Sequence, residues 1–150
     1  MSVKNILKQL IVQGEFLLAH ELLAKIDKII LEEILFELGC DEQSLCAYSF
    51  ICFLLLKRET VELHSLASGI LNIAFCHLGG AYQTSLYHSK KAIELSPDDF
   101  LLKEALLFFN IIPEKIINDE EANKIAFEIL QKIPTNAAAL DILQRNRCER

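Results

Sequence analysis

Apolar residues recur at three- and four-residue spacing along almost the whole sequence, and alternation at period two is scarce. That rhythm suits amphipathic helices and leaves little room for a sheet. With 5 glycines and 3 prolines in 150 residues, the punctuation falls at a few definite places. Gly14 ends a first helix over residues 2–13, and Gly39 reads as the residue that closes a helix in "KIILEEILFELG". "DEQSLCAYSFICFLLLKR" puts acids at its start and Lys57 and Arg58 at its end, matching a helix dipole. The next helix runs from residue 61 to the Gly79-Gly80 break and another follows it. Further on, Ser96 reads as an N-cap with Pro97 at the first helical position, and Asn118 as a cap with Glu121 three residues on. The expectation is one all-α domain over residues 1–150, about seven helices joined in antiparallel pairs by short connections.

The quoted punctuation has a period. In "GGAYQTSLYHSKKAIELSPDDF", residues 79–100, Gly80, Tyr82, Ala92 and Pro97 resemble the second helix and closing proline of the tetratricopeptide repeat. A second ending in "ANKIAFEILQKIPTN" offers Ala122 and Pro134, and Gly14, Phe16 and Ala19 echo the helix start near the N-terminus. The resemblance is clearest over residues 60–137. It departs from the pattern at Ser85 and Ser89, which stand where alanine and an aromatic are usual. It implies a short α-solenoid of stacked helix pairs whose first helices line a concave groove. Chain size, acidity and degenerate helix pairs are also similar to small immunity proteins of bacterial toxin systems, which imply a cognate toxin domain as partner.

Charge narrows the partner class. Lysine plus arginine number 15 against 21 aspartates and glutamates, a formal net charge of -6. An acidic chain is poorly suited to neutralising phosphates, so a nucleic-acid partner is not expected, whereas a basic protein is. No lysine or arginine lies between Lys28 and Lys57, while Glu32, Glu33, Glu37, Asp41 and Glu42 crowd one stretch. Glu33, Glu37, Asp41 and Glu42 are therefore candidate contacts to a cationic surface. The competing reading is an ordinary solvated face, with Asp41 and Glu42 matching the dipole of the following helix.

On the helix beginning at residue 61, Ser65, Ser68, Gly69, Asn72 and Cys76 share one arc, with no charge after Glu62. Ser65, Ser68 and Asn72 are candidate groove contacts, against the alternative of close helix packing. His64 lies near the arc boundary, a candidate for exposure and binding, while His77 falls on the apolar arc as a core histidine would. Tyr87 is a candidate aromatic anchor. Neighbours on a helix point about 100° apart, so Cys76-His77 cannot form a nucleophile–base dyad. No histidine spacing suits a metal. Neither metal, cofactor nor catalytic residue is expected, and an enzyme built on His64 or His77 is the least supported reading.

Five unpaired cysteines at irregular spacing suit reduced thiols better than a disulfide framework. Lys8, Gln9 and Gln13 interrupt the N-terminal apolar run, and the uncharged run at 43–56 is too short to cross a bilayer. The sequence thus reads as a cytoplasmic, non-catalytic protein-binding module. The preferred version is an immunity protein occluding a toxin domain; the alternative is a tetratricopeptide adaptor or secretion chaperone holding a peptide.

Overall fold

The computed structural model describes residues 2–148, which fold into nine α-helices and one 3₁₀ turn, with no strand among them. The helices are α1 Val3–Val12, α2 Phe16–Leu22, α3 Lys28–Cys40, α4 Cys46–Lys57, α5 Val61–Ile73, α6 Ala81–Leu95, α7 Phe100–Ile111, α8 Asp119–Lys132 and α9 Ala137–Cys148. The 3₁₀ turn is Leu23–Lys25. The all-helical expectation holds, with nine helices in place of about seven. The chain falls into two compact units, Met1–His88 and Ser89–Arg150, which divide within α6.

In the first unit α4 is the hub. Its sequence, CAYSFICFLLLK, has no charged residue before Lys57, and α1, α2, α3 and α5 all pack against it. A helix apolar on all sides is stable in water only when wrapped. Ala47, Phe50, Ile51 and Leu54 are buried, and Phe50 meets Phe16 of α2 at a ring-centroid distance of 5.3 Å. Leu7 and Ile11 of α1, four residues apart, and Ile34, Leu35 and Leu38 of α3 complete this core.

Local chemistry explains most helix starts. Ser2, Asp27, Thr60, Asp99 and Asn118 each place a side-chain oxygen on a backbone N–H of the first turn. The Asn118 cap bonds the Glu121 amide at 2.9 Å, as its spacing implies. Three boundaries differ from the sequence reading. Asp99, not Ser96, caps α7, and Phe100 is its first residue; Pro97 lies in the preceding turn. Leu45 precedes α4, so Asp41 and Glu42 belong to the end of α3 and the connection after it. Helix α5 stops at Ile73, and the chain turns through Gly80 (φ +83°) before α6.

Gly39 does not terminate α3, which continues to Cys40. It is buried where α3 crosses α5, and a Cβ there would lie 3.0 Å from the Cβ of Ala74 and from Cδ1 of Ile70. Glycine is needed for that close approach, not for a turn.

In the second unit α7, α8 and α9 each pack against the other two. Their polar residues stitch the connections. Asn110 donates to the Ile117 carbonyl at 3.0 Å and to Asp119 at 2.9 Å, Asn146 donates to Asn123 at 2.8 Å, and Asn136 caps α9 through the Ala139 amide. Lys103 reaches Glu128 across the α7–α8 contact.

The two helical glycines make opposite predictions. Gly39→Ala gains about 1 kcal/mol of helix propensity but overpacks the α3–α5 crossing at a cost of about 1–3 kcal/mol, so stability falls. At Gly69 the nearest atom to an added Cβ is Phe36 Cζ at 3.4 Å, an ordinary contact, so Gly69→Ala is neutral or stabilising. Urea denaturation of both variants checks the pair, and equal effects would refute the crossing argument.

Candidate functional site

Helices α5 and α6 meet along a polar seam within the first unit. Starting in the first turn of α5, His64, Ser68 and Asn72 stand about one turn apart on one face. Ser85 and His88 stand three apart on α6. The Ser68 hydroxyl lies 2.8 Å from that of Ser85, which also donates to the Ser68 carbonyl at 3.0 Å. His64 Nδ1 lies 2.8 Å from His88 Nδ1. Position 64 therefore meets 88 and position 68 meets 85, which makes the pair antiparallel.

The histidine rung extends at both ends. Tyr48 of α4 places its hydroxyl 2.9 Å from His88 Nε2, and Glu59, just before α5, places Oε1 2.9 Å from His64 Nε2. Four ionisable side chains thus form one file, Tyr48–His88–His64–Glu59. The two imidazoles are buried, at 3% and 4% exposure, while the Glu59 side chain is about half exposed, at 52%. Hydrogen-bond polarity assigns the tautomers. An ionised Glu59 accepts from His64 Nε2–H, His64 Nδ1 then accepts from His88 Nδ1–H, and His88 Nε2 accepts from the Tyr48 hydroxyl. Each bond in the file then has one proton. Burial first, and then the nearby His64, push His88 down to about 4. Burial, followed by the neighbouring Cys52 thiol, pushes the Tyr48 phenol up.

The candidates drawn from the sequence are dispersed over this scaffold. His64 and Ser68 are buried in the seam, so neither lines an open groove; Ser65 is exposed, and Asn72 has a buried side-chain oxygen without a hydrogen-bond partner. His64 and His77 exchange the expected positions. His77 is exposed because α5 ends before it, and a helical wheel extended past Ile73 does not hold for it. Tyr87 is 55% exposed and its ring meets His88 edge-on.

The cationic surface facing the acidic stretch is the protein's own first helix. Lys4 pairs with Glu33 at 3.4 Å, and Lys8 pairs with both Glu37 and Glu42, the latter at 2.6 Å. Hydrogen bonds to Glu37 and then Glu42 raise the Lys8 ammonium, and Lys8 in turn lowers the Glu37 carboxyl. Glu33 and Glu37, four apart on α3, are held together by these shared lysines. Asp41 remains exposed. Glu33, Glu37, Asp41 and Glu42 against Lys4 and Lys8 leave an excess of two negative charges in this stretch, while Glu32 lines a cleft with Lys28 and Arg58.

Two further surfaces stand out. A cleft of about 430 Å³ in the first unit is lined by Leu31, Leu54, Leu63 and Leu66, with Lys28 and Arg58 beside them and the acids Asp27, Glu32 and Glu62 also in its wall. In the second unit, α7 turns Leu101, Ala105 and Phe108 outward at helical spacing, with Leu101 73% exposed. Among the described residues no group of three histidine, cysteine or carboxylate side chains is placed to hold a metal, and no helix is long and apolar enough to cross a membrane.

Sequence reasoning missed Tyr48, Glu59, Ser85 and His88 as a connected set. The available signal was Ser85, a hydroxyl where the repeat carries alanine. A polar group at a packing position requires a buried partner, and Ser68 with His64 supplies the matching spacing on α5. No family model, no curated protein and no solved structure matches this chain.

The fold holds His88 neutral, which sets a pH dependence. The imidazole binds its proton more readily in the unfolded chain, near 6.5, than in the folded one, near 4. Its contribution is therefore fully present above pH 6.5 and is lost as pH falls toward 4, up to on the order of 3 kcal/mol. Unfolding free energy measured from pH 7 to 4 should fall, and the slope should flatten in His88→Gln. An unchanged slope in that variant would assign the acid sensitivity elsewhere.

Proposed function

We propose that this chain is a non-catalytic protein-binding module, and that its biological role is that of an immunity protein which binds and occludes a toxin domain. The observation that carries the reading is the outward face of α7. Its sequence, FLLKEALLFFNI, is apolar on nearly every side, and Leu101, Ala105, Phe108 and Ile111 are exposed. A buried Leu or Phe contributes about 1.5–3 kcal/mol when removed from water, so a helix with such a face favours being covered. The residual acidity around Asp41 and Glu42 suits a basic partner and acts mainly on encounter rate.

The second reading is an adaptor or secretion chaperone that holds a short peptide. The leucine-lined cleft of the first unit favours it, since such a site takes an apolar side chain while Lys28 and Arg58 meet backbone or acidic groups.

Affinity capture from the native host separates the two. The double variant Leu101→Glu/Phe108→Glu, which alters exposed positions, should lose the captured partner while keeping the wild-type melting profile. Co-expression with wild type should relieve the growth inhibition caused by that partner alone. A partner retained by the double variant but lost in Leu63→Lys would favour the adaptor. A partner that is harmless when expressed alone would refute the immunity role.

A further inference from the structure

The Tyr48–His88–His64–Glu59 file reaches beyond packing, because its four groups all exchange protons and neither end is fully buried, Tyr48 being partly and Glu59 about half exposed. With Glu59 ionised, all three hydrogen bonds point from Tyr48 toward Glu59, as set out above. We propose that the file is a one-proton latch on α6: a single added proton reverses the direction of the file between Tyr48 and His64 and leaves α6 seated, and a second proton unseats α6 from α5.

The reversal balances. The proton on His88 Nδ1 crosses to His64 Nδ1, the Tyr48 hydroxyl proton passes to His88 Nε2, and the incoming proton replaces it on the Tyr48 oxygen. His64 is then doubly protonated, and its positive charge rests against the Glu59 carboxylate 2.9 Å away. His88 is neutral again in the opposite tautomer. No hydrogen bond is lost, but the Tyr48 hydroxyl has changed from donor to acceptor and its own proton must turn elsewhere, with the Cys52 thiol its neighbour. A second proton has no place. It would put an N–H on both Nδ1 atoms, which face each other at 2.8 Å, with two positive charges in a buried site.

The groups that reach the pair come from each neighbouring segment: Glu59 before α5, Tyr48 and Cys52 on α4, and Tyr87 beside His88 on α6. Helix α3, which also packs on α5, meets it through Phe36 and Gly39, and its Lys28, with Arg58, acts on Glu62 in the first turn of α5. The other side-chain rung of the seam is the Ser68–Ser85 pair, and the Asn72 oxygen is unsatisfied on the same α5 face. Losing the histidine rung therefore removes one of the two side-chain rungs between the first half of α6 and α5.

Imidazole ¹⁵N NMR on the full chain tests the reversal. At neutral pH, His88 should carry its proton on Nδ1 and His64 on Nε2. As pH falls, His64 should become doubly protonated and His88 should switch to the Nε2–H tautomer in one shared transition. Native-state amide exchange, corrected for intrinsic rates, tests the latch: opening of residues 81–88 should increase at least about tenfold below the second protonation, ahead of α1 and α3. That increase should vanish in His88→Gln. A His88 tautomer that stays fixed while His64 charges would overturn the reversal. Residues 81–88 opening only together with α1 and α3 would overturn the latch.

Discussion

The first unit depends on one constraint: α4 has almost nothing charged to show to water. From Cys46 to Leu56 it carries no charge, and over that span only Ser49 and Leu56, the latter 89% exposed, are exposed. Four helices answer that demand, and their order around α4 follows from where each has its own apolar stripe. Helix α1 offers Leu7 and Ile11, and α3 offers Ile34, Leu35 and Leu38. Once α3 and α5 both lie against α4 they must also cross each other, and Gly39 with Ala74 supplies the small residues that let them do so. The ion pairs of Lys4 and Lys8 then fasten the outer edge of α1 to α3. They follow the packing; exposed pairs of this kind are too weak to dictate it.

The α5–α6 contact is built on a different principle. Apolar seams tolerate small slides, because one methyl group substitutes for another. Paired hydroxyls and imidazoles do not, since a shift of one turn leaves each polar group buried without a partner. His64 against His88 and Ser68 against Ser85 therefore set the register of α6 as well as its attachment. Such a seam is specific in geometry and modest in net energy, which suits a contact that responds to protons more than one that anchors a core.

The exposed apolar residues of α7 and the charged face of α3 represent two ways a helix surface meets a partner. On α3 and the connection after it part of the charge is already matched by Lys4 and Lys8, and what remains is a diffuse negative field. On α7 the exposed groups are large and close together, so the energy available to a partner is local and apolar. An interface that used both would gain its speed of encounter from the first and its lifetime from the second.

Helix type and several helix starts were legible in the sequence, because periodicity and capping are local: Asn118 and the Gly79-Gly80 break act through neighbours in the chain. What failed were inferences that extended a local pattern past its end. Gly39 looked like a terminator, yet α3 runs through it, and the wheel drawn past Ile73 buried His77 when the chain had already turned. Glu33, Glu37 and Glu42 were readable as a cluster, but not as the partners of Lys4 and Lys8, which are 29 or more residues away. The proton file was out of reach for the same reason. Tyr48, Glu59, His64 and His88 are unremarkable at their separate positions, and only the antiparallel packing of α5 on α6, beside α4, brings their polar atoms to hydrogen-bonding distance. Sequence alone determined that this chain is helical and where several of its helices begin, since those depend on residues within a turn of each other. Tertiary structure decided which charges are spent internally and which histidines share a proton, since those depend on distances between helices that no local pattern encodes.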